Sequence, residues 1–132
     1  MRVQNQVIKG QKNGDTIQFL LDSEAKRPNG TPSEKMITDS EEIAFVYLLD
    51  DEEGYAYIHF PRDTWAFMAQ VLQGDDDPAL IWNGESIPLP GFIEELTMLV
   101  YNIEGNDNYG EAFTTAVEHE FEAFLQSQSI NY

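Results

Sequence analysis

Residues 43–60 read IAFVYLLDDEEGYAYIHF, and this stretch decides the fold. Ile43, Phe45, Tyr47 and Leu49 fall on one side of an extended chain and Ala44, Val46 and Leu48 on the other. A strand with two apolar sides belongs inside a sheet, with cover over both faces. The run Asp50, Asp51, Glu52, Glu53, Gly54 then reads as a solvated turn, its charges discouraging edge-to-edge pairing. Residues 55–60 supply an aromatic partner strand, so the two segments are expected to form a hairpin.

Upstream, Val3, Asn5 and Val7, then Ile17, Phe19 and Leu21, alternate with polar neighbours as half-buried strands require, around an Asn13-Gly14 turn signal. Residues 22–33 are rich in turn formers, with Pro28, Gly30 and Pro32 breaking regular structure, and a short strand is expected over 35–38. Downstream, Pro61 can open a helix whose face carries Trp65, Met68, Ala69 and Leu72 and which Gly74 ends. After the linker Asp75-Asp76-Asp77-Pro78, residues 79–82 and 86–89 flank Asn83-Gly84, and Pro88 and Pro90 keep that hairpin at a sheet edge. Two helical stripes close the chain: Phe92, Leu96, Leu99, Val100 and Ile103, then Phe113, Ala116, Val117, Phe121, Phe124 and Leu125. The expected fold is therefore α+β, one domain over residues 1–132. It has an antiparallel sheet of hairpins, one central helix, a C-terminal helical pair packed on the sheet, and a frayed tail over 127–132.

A chain of 132 residues with sixteen aromatic rings can bury a core, and with no cysteine it has no disulfide, thiolate metal site or cysteine nucleophile. The start shows no apolar run of signal-peptide type, and no segment reaches the ~18 apolar residues of a membrane helix, so a cytoplasmic location is expected. Charge is the strongest exclusion. All seven Lys and Arg lie in the first 62 residues, leaving the last seventy with thirteen acids and no base, within a net charge of −17. Such a field repels nucleic acid and anionic membranes and favours cations or a basic protein partner. The bland reading of the same acidity is solubility.

The joint between the last helices, Asn102-Ile103-Glu104-Gly105-Asn106-Asp107-Asn108-Tyr109-Gly110-Glu111, is the most unusual local segment. Structurally, Gly105 suits the left-handed residue closing a helix, and Asn108 with Glu111 suits a capping pair. It fails as a calcium loop, because no register places both the required glycine and the terminal glutamate. Functionally, a rigid joint of Asn102, Glu104, Gly105, Asn106, Asn108, Tyr109, Gly110 and Glu111 is the candidate interaction surface, presenting Tyr109 for recognition. The plainer expectation is that Tyr109 packs beneath the joint as a lid.

This ten-residue string, preceded by Glu94-Glu95-Leu96 and followed by Ala116-Val117-Glu118, resembles the C-terminal end of the YjbL-like family of small uncharacterised proteins from Bacillus and its relatives. Asp39-Ser40 before Phe45-Val46-Tyr47, and Pro61 with Trp65 and Met68, resemble the family's middle portion, so the likeness covers residues 36–124. It implies a cytoplasmic, single-domain protein, carries over no assigned activity, cofactor or catalytic residue, and leaves function open.

The two histidines add little chemistry. His59 alternates with Tyr55 and Tyr57 on a strand, where a partly buried, hydrogen-bonded imidazole is expected. His119 and Glu122 stand at the spacing of one helical face but need ligands from elsewhere to hold a metal. No nucleophile elbow, phosphate loop or dinucleotide fingerprint occurs. The expected function is a protein-interaction or regulatory module with a possible basic partner, and with no cofactor, metal, nucleic acid or membrane. The alternative is a small enzyme or cation-binding protein using Glu104, Asp107 and Glu111, or His119 and Glu122. A third class is an acidic mimic of nucleic acid that sequesters a basic protein.

Overall fold

The computed structural model describes residues 4–22, 27–52 and 54–129. Seven strands, β1 (Gln4–Asn13), β2 (Thr16–Leu21), β3 (Thr31–Asp39), β4 (Ala44–Asp51), β5 (Gly54–Pro61), β6 (Ala79–Trp82) and β7 (Glu85–Pro88), form one sheet in the order β3-β4-β5-β1-β2-β6-β7. The described helices are α1 (Trp65–Leu72), α2 (Phe92–Ile103), α3 (Glu111–Glu120) and α4 (Glu122–Ser129), with 3-10 turns at Arg62–Thr64 and Asp107–Tyr109.

The chain is α+β, but the sheet is mixed rather than antiparallel throughout. Strands adjacent in sequence pair antiparallel within three blocks, β1 with β2, β3 with β4 and β5, and β6 with β7. The blocks meet through parallel contacts, β1 with β5 (Gln6 opposite His59) and β2 with β6 (Phe19 opposite Leu80). Short turns set direction inside a block, whereas between blocks long connections do, and no local pattern records them. The Asn83-Gly84 turn has both residues left-handed (φ 48° and 84°), the geometry that matches the twist of a two-residue connection.

Strand β4 sits between β3 and β5, and Ala44 to Leu49 are all buried. Ile43 lies just outside it, in a left-handed turn (φ 52°). On the helical side, the Phe45 ring stands 4.9 Å from Trp65, 5.6 Å from Phe113 and 6.0 Å from Phe121, and Tyr47 stacks on Phe92 at 6.4 Å. Fully burying rings of this size stabilises by roughly 2 kcal/mol each, so these residues tie α1, α2 and α3 to the sheet. The indole N–H of Trp65 donates to the Phe60 carbonyl at 2.9 Å, satisfying the one polar atom buried with it.

Three contacts seat α2. Asp77, in the acidic linker, accepts from the backbone N–H of Gly91 (3.1 Å) and Ile93 (2.9 Å), capping a helix that has no side-chain cap of its own. The Tyr47 hydroxyl donates to the Pro90 carbonyl at 2.6 Å, and Glu95 accepts from the Met36 N–H.

Other elements depart from expectation. The strand expected over 35–38 runs from Thr31 to Asp39, with an irregularity between Pro32 and Lys35 where Glu34 is left-handed (φ 62°). The final helix breaks at Phe121 (φ −107°), a turn that lets Phe121, Phe124 and Leu125 all reach the core. The expected tail begins as helix, since α4 continues to Ser129, and residues 130–132 lie outside the described residues, as do Val3, 23–26 and Glu53.

Candidate functional site

The joint at residues 102–111 is held by its own hydrogen bonds. Gly105 is left-handed (φ 68°) after α2, as its position requires, and its N–H donates to the Glu118 carboxylate at 2.9 Å. The Asn106 side chain donates to the Asn102 carbonyl (3.2 Å) and accepts from the Asn108 N–H (3.1 Å), while its carbonyl accepts from the Thr114 hydroxyl (2.8 Å). Tyr109 is half-buried, packed on the core and stacked on Phe113 at 6.5 Å. The expected Asn108–Glu111 capping pair does not form. Gly110 (φ 93°) is the N-cap of α3, without a side-chain cap. Glu104, Asn108 and Glu111 are exposed.

His119 is exposed at the end of α3, and Glu122 opens α4 beyond the break at Phe121, so the two do not share one continuous helical face. Among the described residues, no three His, Asp or Glu side chains converge as a metal ion requires.

A different surface emerges on the sheet. Register places Ala44, Val46, Leu48 and Asp50 of β4 beside Asp39, Ile37 and Lys35 of β3, and beside Pro61, His59, Tyr57 and Tyr55 of β5, with Gln6 of β1 next to His59. The core covered by the helices is on the opposite side, and Ala44, Val46 and Leu48, though buried, do not belong to it. The second side of β4 is thus buried as well, outside the core that the helices cover. Ile37 (41% exposed) and Tyr55 (40%) stand open on this face, and Ile8 (55%) stands open on β1 two residues beyond Gln6. Two concavities share His59, which is only 8% exposed. One, of about 270 Å³, opens between Gln6, Glu42 and Pro61, and the other, of about 330 Å³, between Ile37, Asp39, Glu41 and Tyr57. The sequence signal for this face was the Tyr55, Tyr57, His59 alternation, amphipathic rings that tolerate partial water contact.

Both sheet edges carry features that hinder strand addition. On β3, the outward Met36 N–H is taken by Glu95. On β7, Pro88 removes a donor, and Arg27 grips Glu85 through Nε at 2.8 Å, which raises the guanidinium pKa and lowers that of the carboxyl.

Fold and surface define an acidic α+β protein with a mixed seven-stranded sheet, helices over one face, and exposed Ile37 and Tyr55 on the other. The chain belongs to UPF0738, described as a family of unknown function, whose family model it matches over residues 5–121. It is 44% identical over 111 residues to a UPF0738 protein of Lysinibacillus sphaericus, covering 84% of this chain and 87% of that one. The corresponding figures are 36% over 111 residues for a relative in Halalkalibacterium halodurans (81% and 88%) and 42% over 88 residues for one in Staphylococcus epidermidis (67% and 72%). No solved structure matches the chain. No described helix is long and apolar enough to cross a membrane.

Proposed function

We propose that this chain is a cytoplasmic protein-interaction module whose contact surface is the helix-free face of β3, β4, β5 and β1. The observation that carries this reading is exposed Ile37 in the lining of a His59 concavity, with exposed Tyr55 and Ile8 farther along neighbouring strands, on a face that a self-sufficient sheet would leave polar. An apolar centre with a charged rim has the anatomy of a protein interface. The joint at 102–111 serves in this reading as a brace between α2 and α3, since Asn106 and the Gly105 N–H tie it to Asn102, Asn108, Thr114 and Glu118.

Affinity capture from lysate of the native cells tests this. The intact protein is compared with an Ile37→Asn, Tyr55→Ser variant and an Asn106→Ala, Tyr109→Ala variant. The face variant is expected to lose the partners that the intact protein recovers, and the joint variant to keep them. The opposite pattern removes the sheet face from consideration and returns the joint.

A further inference from the structure

We infer that the segment docking on the helix-free face is an amphipathic helix of a partner protein, with basic residues at both ends of its apolar stripe; this rests on the contact face proposed above. Three observations lead there. First, the hindered edges favour a partner that lies on the face over one that extends the sheet. The chain's other face shows what a sheet of this composition accepts, namely the apolar stripes of helices.

Second, the apolar strip is bounded by acids at each end. At one end stand Asp39, Glu41 and Glu42, which line the two concavities, and at the other Asp50 and Asp51, the last residues of β4, with Glu52 after them. From Ala44, opposite Asp39, to Asp50 the face spans six residue steps, about 20 Å at the rise of a strand. A helix covers that distance in about 13 residues, between three and four turns.

Third, the cations are few and placed apart. Lys35 sits opposite Leu48, two-thirds of the way from Ala44 to Asp50 on the β3 edge, so a matching helix carries its own cations at the ends and a neutral or acidic residue beside Lys35.

A fluorescent helical peptide of about 18 residues, with a leucine stripe and lysines at both ends, is the probe, measured by anisotropy. Serine replaces the terminal lysines in a second peptide and the leucines in a third. The protein is used intact and as three variants: Ile37→Asn with Tyr55→Ser on the face, Glu41→Gln with Asp50→Asn at its ends, and Glu94→Gln with Met98→Asn on the exposed side of α2. All six positions are exposed. The lysine-leucine peptide is expected to bind the intact protein and the α2 variant alike, and the face and end variants about tenfold or more weakly. Both serine peptides are expected to bind about tenfold or more weakly to the intact protein, and added salt to erode only the lysine-dependent part.

Equal binding of the lysine-ended and serine-ended leucine peptides, weakened by the face variant, overturns the charge requirement and leaves the contact face standing. A peptide that binds the face variant as well as the intact protein overturns both. Absence of binding by the lysine-leucine peptide overturns the proposed partner class.

Discussion

The carboxylate of Glu95 accepts the backbone N–H of Met36 at 3.1 Å, so the first turn of α2 occupies an outward donor on the β3 rim of the sheet. An edge N–H facing water invites another strand, and here a side chain from the helix layer occupies it. Substituting Glu95 by Ala is expected to cost about 1–2 kcal/mol in urea unfolding and to raise the average mass in light scattering as β3 becomes available for pairing. Gln at the same position keeps an acceptor and is expected to retain the mass distribution of the parent.

Asp77 caps α2 from the preceding linker, so its loss falls on a helix two elements away. Asp77→Ala is expected to destabilise the fold by about 1–2 kcal/mol. Asn108→Ala, at the position where the sequence pattern puts a cap, is expected to stay within about 0.5 kcal/mol, because that side chain is exposed and α3 starts from Gly110 without it.

Alkaline unfolding reports on Tyr47. Burial pushes its phenol up to about 12, against an ordinary value near 10. Because the folded state holds this proton more tightly than the unfolded state, the associated stability is complete below pH ~10 and disappears as pH rises toward ~12, a change of about 2–3 kcal/mol. Stability measured by urea at pH 8 to 11.5 is expected to fall more steeply for the parent than for Tyr47→Phe. The Phe variant also loses the bond to the Pro90 carbonyl at neutral pH. Identical alkaline slopes would contradict the burial of this hydroxyl.

Gly30 is fixed by backbone. Its φ is 106°, and a Cβ there would lie 2.3 Å from the carbonyl oxygen of Asp50, an atom that cannot swing aside. Gly30→Ala is therefore expected to cost about 2–4 kcal/mol, as a shift of the thermal midpoint, and to loosen the β3–β4 pairing next to it.

Much of this architecture is legible in the chain, and the exceptions share a physical origin. The double-sided apolar run at 44–49 marks a strand inside a sheet, and Asn83-Gly84 marks the turn at its far edge, because both signals are local. The parallel contacts of β1 with β5 and β2 with β6 join residues 53 and 61 positions apart, where no turn chemistry speaks. The cap from Asp77 and the bond from Glu95 to Met36 are likewise non-local. At the joint, composition is shared by two roles: glycine, amides and acid suit recognition, and equally suit the internal hydrogen bonds in which Asn106 is engaged. The helix-free face was the least visible feature, since two apolar sides on β4 imply cover without saying whether helices or neighbouring strands provide it.

The most direct test places the photo-crosslinker p-benzoyl-phenylalanine, in separate proteins, at Ile37, Met98 and Asn108, and irradiates the native cells. The helix-free face as contact surface predicts a discrete higher-mass adduct from position 37 and none from positions 98 and 108. An adduct from position 98 or 108 with none from position 37 would contradict it.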